Sequence, residues 1–369
     1  MISFELSDEQ KLVKDTVASF AADQIEPIMR ESDDSENVRQ DIISKGWGLG
    51  LLGGSIPEEY EGFGEEISAL TGVIAIEELA WGDLSTALYL TAPAALALSV
   101  LDQGNEEQKK EIFPAFTGEE YRPASCALVE PYFNFCPSAL KAVAVRDGDE
   151  YVLNGKKCLV PLAQESESMI IFAATQPGMG FSSVDAFVVP AAGQGVTVSE
   201  RERNMGIKAL PTYQLELKDR RVPAASRLGG ESGSDFLRLL SRSRLALAAL
   251  AVGMSRRCVE YSRDYSIQRV AFGDPIASRQ AIAFMVAEMA IEVDAARLLT
   301  WEAAWRCDKG MDFEKDAALA KNYAAEMAMM VCDRGVQIMG GHGYINENPV
   351  ELWFRNARGF ATFEGMVMV

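Results

Sequence analysis

The chain has 369 residues, of which 48% are hydrophobic and 24% are charged, a composition that is typical of globular proteins and excludes disordered or fibrous chains. At roughly 100–200 residues per domain, this length predicts two or three domains. Asp and Glu number 54 against 35 Lys and Arg, and the resulting net charge of −19 argues against nucleic acid as a partner, because nucleic-acid binding depends on clustered basic residues.

The first third of the chain has a helical pattern. Ser7 and the acidic residues after it are typical of a helix N-cap, and the helix is expected to continue to about Ile28. A loop rich in Gly and Pro follows, and further helical runs are expected at about 66–81, 85–101 and 105–117. We therefore predict an N-terminal all-α domain over residues 1–122.

The apolar pattern changes to a period of two between about Ser125 and Val222. Asp147-Gly148 is a typical hairpin turn between two alternating runs, and several short strands follow, divided by Gly, Pro and Asp. This pattern predicts a central, antiparallel, barrel-like β domain over residues 123–230.

Long helical runs return from Phe236 onward. The run at 239–270 is apolar nearly all round its middle, which is typical of a helix buried inside a bundle. Two more long runs follow, so residues 231–369 are predicted to form a C-terminal four-helix bundle. The fold class is therefore α+β, with helices first, then a sheet, then helices.

Histidine and cysteine content limits the chemistry. The single histidine, His342, excludes a zinc site with several His ligands, and we predict no metal site. None of the six cysteines is spaced as C-x-x-C, which favours reduced thiols and a cytoplasmic protein. The N-terminus lacks the apolar core of a signal peptide, and the apolar stretch at 88–101 contains Pro and is too short to cross a bilayer, so no membrane span is expected.

Several ordered segments resemble one known family. They are GLLGGSIPEEYEGFG (50–64), ALVEP (127–131), LNGKK (153–157), RVAFGDPIASRQ (269–280), QIMGGHGYINENPVELWFRNAR (337–358) and FEG (363–365). Together they resemble the acyl-CoA dehydrogenase family over almost the whole chain. Each segment alone is weakly specific, whereas their occurrence in this order is strongly specific.

The resemblance implies FAD-dependent oxidation of an acyl-CoA thioester to the trans-2-enoyl-CoA. Glu364 stands at the family's base position, where an apolar pocket would suit proton abstraction and the residue's own N–H would help to bind the thioester oxygen. Some members place the base just before Arg244 instead, but that position is Ser243 here. The residues expected to contact substrate are Phe135, Arg244, Phe363 and Gly365.

The resemblance also implies a set of cofactor-binding residues. Arg269 and Phe272 would hold the pyrophosphate and adenine side of FAD across a dimer interface. The same dinucleotide region would include Gln280, Gln337, Gly340 and Gly341. The residues expected to face the flavin ring are Leu128, Val129, Leu159, Val160 and Pro161. The implied partners are an electron-transfer flavoprotein and further subunits, either as a homodimer or homotetramer or as a hetero-oligomer with a paralogue.

The sequence departs from the family around the flavin ring. Val129 replaces a hydroxyl residue, Phe135 a serine, and Leu159 a tryptophan, while Pro161 provides neither a hydroxyl nor an N–H group. Three alternatives follow. The chain is an active dehydrogenase with an altered flavin pocket, a redox-inactive paralogue that serves as a partner subunit, or a non-redox acyl-CoA enzyme that uses Glu364 as its base.

Overall fold

The N-terminal region is helical in the computed structural model, which describes residues 4–64, 68–178 and 180–369. Ser7 caps the first helix as predicted, because its hydroxyl accepts the Gln10 N–H while the Gln10 side chain accepts the Ser7 N–H. The chain then passes through a π turn and a 3-10 turn to Ile28. The helices of this region are α1 (Asp8–Phe20), α2 (Met29–Ser35), α3 (Gln40–Trp47), α4 (Ala69–Gly82), α5 (Leu84–Gln103) and α6 (Glu106–Ile112).

Two of these helices match the predicted runs closely. Helix α4 begins at Ala69, and the predicted positions 66 and 67 lie outside the described residues. Helix α5 is the one described helix whose length and apolar composition would allow it to cross a membrane, with a mean hydropathy of 1.7. Its most apolar stretch is 83% buried inside the protein, where it packs against its neighbours.

The central region forms a curled sheet whose described strands pair in the order β1-β4-β2-β3-β7-β6, with β5 beside β4. The strands are β1 (Ala124–Ala127), β2 (Val143–Asp147), β3 (Glu150–Pro161), β4 (Ser168–Ala174), β5 (Val184–Pro190), β6 (Val196–Arg201) and β7 (Thr212–Pro223). Asp147-Gly148 forms the predicted hairpin, with Asp147 opposite Glu150. The sheet is not purely antiparallel as predicted, since β1 and β2 both run parallel to β4.

The C-terminal region consists of long helices after a short hairpin. The elements are α7 (Phe236–Gln268), β8 (Val270–Ala271), β9 (Asp274–Pro275), α8 (Gln280–Asp308), α9 (Glu314–Met339) and α10 (Val350–Ala357). The middle of α7 is buried on every side from Leu245 to Met254, as its all-round apolar pattern predicts. Gly253 allows α4 to approach closely, because a Cβ there would lie 2.0 Å from the Glu77 carbonyl oxygen.

The buried residues show how these regions join. One apolar cluster contains residues of α1, α4 and α5 together with residues of α7, α8, α9 and α10, so the two helical regions share a core. A second cluster joins α5, β1, β4 and the start of α7 to Met368. The second cluster places the end of the chain between the helices and the sheet. The domain boundaries at 122/123 and 230/231 remain predictions.

Candidate active site

Glu364 lies in a largely buried group of charges. Its carboxylate accepts hydrogen bonds from Nε and Nη2 of Arg244 on α7, each at 3.3 Å, and lies 3.4 Å from Nζ of Lys321 on α9. The three side chains are only 11%, 16% and 8% exposed, in the order Glu364, Arg244, Lys321. The expectation that apolar side chains alone surround this carboxylate is therefore wrong, because two cationic side chains contact it. Sequence reasoning missed Lys321, which lies 43 residues before Glu364.

The turn that carries Glu364 is set by its neighbours. Gly365 has a φ of +71°, and a Cβ at this position would lie 2.8 Å from the Leu128 side chain. Only glycine adopts this conformation readily, which agrees with the predicted close approach of the backbone. The Gly365 N–H donates to Oγ of Ser243 at 3.1 Å. Ser243 therefore occupies the alternative base position and holds the turn next to Glu364.

A small apolar void of about 10 Å³ lies next to Gly365. Ala95 on α5 and Cys126 on β1 line it, together with Leu128 and four residues of α7 that include Ser243. Phe172 on β4 also lines the void, as do Val367 and Met368, whose side chains are buried. Leu128, predicted to contact the cofactor, therefore lines the space beside Gly365.

The other predicted substrate residues lie further from this void. Phe363 is 4% exposed and packs edge to face against Phe360, with ring centroids 5.7 Å apart, inside the helical core. Phe135 is partly buried and packs against the second apolar cluster, which surrounds the void. Neither side chain forms part of the void's wall.

The residues predicted to face the flavin ring lie on two adjacent segments. The Cys158 N–H donates to the Val129 carbonyl oxygen at 2.9 Å, which fixes the end of β3 beside the segment after β1. Val129 is buried, and Val160 is fully buried in the core of the sheet. The N–H of Leu159, a residue with a φ of +52°, donates to the Glu202 carboxylate, and the Pro161 carbonyl accepts the Ser125 hydroxyl. These segments therefore offer mainly apolar surface.

Beneath these segments lies a buried ion pair that sequence reasoning did not identify as important. Lys157 Nζ lies 3.0 Å from both Oε1 of Glu130 and the Leu128 carbonyl oxygen, and both charged side chains are almost completely buried. Glu130 also accepts the N–H groups of Lys141 and Ala142. Burial lowers the pKa of Lys157, and the Glu130 carboxylate opposes this effect.

A second, larger cleft of about 450 Å³ contains three of the predicted dinucleotide residues, Arg269, Gly340 and Gly341. We call it the Arg269 cleft. A Cβ at either glycine would meet no atom within 4 Å, so open space lies in front of this backbone. The exposed Arg269 guanidinium pairs with no carboxylate of the described chain. A free guanidinium beside open backbone fits a diphosphate, so this cleft can hold that part of FAD.

The remaining predicted dinucleotide residues lie around this cleft. Gln280 and Gln337 are exposed and are not part of its wall, and Phe272, 98% exposed, projects from the β8–β9 hairpin. His342 does form part of the wall, with Nδ1 3.4 Å from the Tyr265 hydroxyl oxygen. Glu364 is not among the residues that line the Arg269 cleft. The structure thus places the predicted residues at two separate locations on one chain.

The thiols of Cys126 and Cys158 are weakly acidic. Burial raises the pKa of Cys126, which lines the small void, to about 12, and that of Cys158 to about 11. These thiols stay protonated and unreactive at neutral pH. Within residues 4–64, 68–178 and 180–369, no group of three or more His, Cys, Asp or Glu residues is placed to bind a metal ion.

Three family models match the chain in the same order as its fold. The acyl-CoA dehydrogenase N-terminal, middle and C-terminal domains match residues 7–120, 126–220 and 234–367. The chain belongs to the acyl-CoA dehydrogenase family. The predicted fold class is thereby confirmed, and so are the predicted cofactor FAD and the class of enzyme, an oxidoreductase that acts on CH–CH groups.

Proteins similar to this chain match it over nearly its full length. A probable acyl-CoA dehydrogenase of Bacillus subtilis is 36% identical, with 99% of this chain and 96% of that protein covered. The CarC subunit of the caffeyl-CoA reductase-Etf complex of Acetobacterium woodii is 33% identical, with 98% and 96% covered. The structure of butyryl-CoA dehydrogenase from Megasphaera elsdenii superposes with a TM-score of 0.89 at 30% identity, with 98% and 96% covered.

Proposed function

We propose that this protein removes the α-proton and the β-hydride of an acyl-CoA thioester to give the 2-enoyl-CoA, with Glu364 as the base. The position of this carboxylate carries the proposal, since it is largely buried, paired with cations and followed in the chain by Gly365, which lines an apolar void. When bound, FAD supplies the hydride acceptor. The 30% identity with butyryl-CoA dehydrogenase over 98% of this chain supports a thioester with a short acyl chain as the substrate.

The chain's own residues perform the proton transfer in this proposal. A Glu364 carboxylate oxygen takes the α-proton, while Arg244 and Lys321 orient that carboxylate. The Ser243 hydroxyl accepts the Gly365 N–H and so fixes the turn, leaving the Glu364 N–H to polarise the thioester carbonyl. Enclosure by α7 and α9 keeps water away from the base.

The visible spectrum of the purified protein tests this proposal. We expect a yellow protein whose flavin absorbance is bleached when a short-chain acyl-CoA is added without oxygen. The long-wavelength flavin band should fall in proportion to the acyl-CoA oxidised, one flavin for each thioester. A protein that stays colourless after incubation with FAD, or a flavin that no acyl-CoA bleaches, would contradict the proposal and favour the paralogue or the non-redox enzyme.

We further propose that electrons leave through an electron-transfer flavoprotein and that the protein is cytoplasmic. The similarity to CarC, a subunit of the caffeyl-CoA reductase-Etf complex, supports the first statement. The cysteines support the second, because all six are free and four of them are buried. We also retain the division into domains 1–122, 123–230 and 231–369 as a proposal.

Helix α8 supports the proposed assembly of this chain with further copies of itself. Phe284, Ile291 and Leu298 recur every seven residues on its surface and are 58%, 64% and 45% exposed. A stripe of large apolar side chains on one helix face is typical of an interface. An exposed hairpin lies between Arg269 and α8, and it carries Phe272. Arg269 and Phe272 are the residues predicted to reach a second subunit. We propose a homodimer or homotetramer that covers this stripe.

Ile291→Asp is expected to dissociate the assembly, because it places a charge in the middle of the α8 stripe. Size-exclusion chromatography with light scattering should show a smaller species than the parent at the same concentration. Leu12→Asp is the matched control, since Leu12 is 68% exposed on α1 and should leave the mass unchanged. An unchanged mass of the Ile291→Asp variant would exclude α8 from the interface. A parent protein that assembles only with a different chain would favour the hetero-oligomer.

A further inference from the structure

The Arg269 cleft contains a second side chain that is able to carry a positive charge. His342, the single histidine of the sequence, forms part of the wall of this cleft together with Arg269. No other residue that lines the cleft is basic. An arginine is always charged, whereas a histidine changes its charge between about pH 5 and 8. Within this pH range, the charge of the cleft wall therefore changes at His342.

The contacts of His342 hold its ring in place without fixing its charge. Nδ1 of His342 lies 3.4 Å from the hydroxyl oxygen of Tyr265, which is one helical turn before Arg269. A phenol hydroxyl donates to a neutral ring nitrogen or accepts from a protonated one, so this contact accommodates both charge states. Gly343 lets the turn lie close to α9, because a Cβ there would be 2.5 Å from the Val336 carbonyl oxygen. His342 thus stays at the cleft in either charge state.

Acidic side chains leave the charge of the cleft uncompensated. Neither His342 nor Arg269 pairs with a carboxylate within the part of the chain that the structure describes. The acidic residues of the adjoining segments do not line the cleft: they are Asp264, Asp274 and Glu347. The two aspartates pair instead with Arg263 at 2.8 Å and with Arg279 at 3.5 Å. The cleft is therefore a locally basic site on an acidic protein.

We infer that protonated His342 is a second cation for the diphosphate of FAD, beside Arg269. A diphosphate that is esterified at both ends carries two negative charges throughout this pH range, and Arg269 balances one of them. The imidazolium of His342 balances the other at low pH, and this attraction is lost as the pH rises and the ring becomes neutral. FAD is therefore held more tightly on the acidic side of the histidine titration.

This inference concerns how the cofactor is retained and does not involve Glu364. It goes beyond the proposed reaction, and it rests on the proposed placement of the FAD diphosphate in the Arg269 cleft. The test must therefore measure the retention of FAD directly rather than the activity of the enzyme.

Release of FAD from the diluted holoenzyme, followed by the rise in flavin fluorescence, provides this measurement. We expect release to be about three- to tenfold faster at about pH 8 than at about pH 5.5, because one charge at an exposed site has an effect of this size. A high salt concentration should reduce the difference between the two pH values, since dissolved ions screen the attraction.

Two substitutions of His342 separate its charge from its shape. His342→Asn has no charge at either pH and should release FAD at the faster rate at both. His342→Lys keeps a positive charge at both pH values and should release FAD at the slower rate at both. Tyr344→Lys is the matched control, because Tyr344 lies on the same turn, is 86% exposed and does not line the cleft. This control should keep the pH dependence of the parent.

The inference is overturned if the release of FAD from the parent does not change with pH, or if His342→Asn keeps that change. Equal release rates of His342→Asn and His342→Lys would also overturn it, because the charge would then have no effect. Arg269→Gln tests the placement of the diphosphate, and release no faster than that of the parent would place the diphosphate elsewhere. A parent that retains no FAD contradicts the proposed function as well, whereas a parent that acyl-CoA bleaches but that releases FAD at one rate at every pH overturns this inference alone.

Discussion

Glu364→Gln is expected to abolish acyl-CoA-dependent bleaching of the flavin while FAD stays bound. Glutamine has nearly the shape of glutamate and fits the same space between Arg244 and Lys321, but its amide cannot take the α-proton. Loss of a general base lowers a rate by about 10²–10⁴-fold. Stopped-flow absorbance should therefore show bleaching that is slower by at least about 10²-fold. The flavin spectrum before mixing should match that of the parent.

The control for this variant is Glu326→Gln, which removes an exposed carboxylate from α9, the helix that also carries Lys321. It should be bleached at the rate of the parent. Bleaching of Glu364→Gln at the rate of the parent would mean that another group takes the proton. Loss of bound flavin in this variant would instead assign Glu364 a structural role in the cofactor site.

Local signals in the sequence predicted much of the fold. The Ser7 cap and the Asp147-Gly148 turn depend on residues within a few positions of each other, and both were predicted correctly. The buried middle of α7 follows from a composition that leaves no polar face. The parallel pairing of β1 with β4 could not be predicted in this way, because the two strands are far apart in the chain and their partners are chosen by the packing of the whole sheet.

The candidate site was predicted less completely, for the same reason. The FEG motif identified Glu364, and the φ of Gly365 agrees with the predicted close approach. Lys321 and Ser243 contact this turn from 43 and 122 residues away, and no local pattern reveals such contacts. The side chain of Val160 is buried in the core of the sheet, next to a register shift of β3, so its predicted contact with the cofactor stays a prediction.

Lys157→Met is expected to destabilise the protein severely. Methionine matches the length of the lysine stem but leaves the Glu130 carboxylate buried without its cation, and the Leu128 carbonyl loses a donor. Breaking a buried ion pair by removing one partner costs about 3–5 kcal/mol of unfolding free energy. Urea unfolding followed by circular dichroism measures this loss, and we expect the variant to release FAD more readily, since the pair supports the segments that contain Val129 and Leu159.

Glu130→Gln combined with Lys157→Met distinguishes two causes of the lost stability, an unpaired buried charge and altered hydrogen-bond geometry. The double variant has no unpaired charge, and the introduced amide oxygen can accept the Ala142 N–H, but the amide nitrogen cannot accept the Lys141 N–H. The double variant should therefore regain part of the lost stability. Lys156→Met is the matched control, because Lys156 is 55% exposed and its ion pair with Glu216 contributes about 1 kcal/mol or less. If the single variant is as stable as this control, the buried pair does not hold these segments. If the double variant is as unstable as the single one, hydrogen-bond geometry rather than charge pairing stabilises the segments.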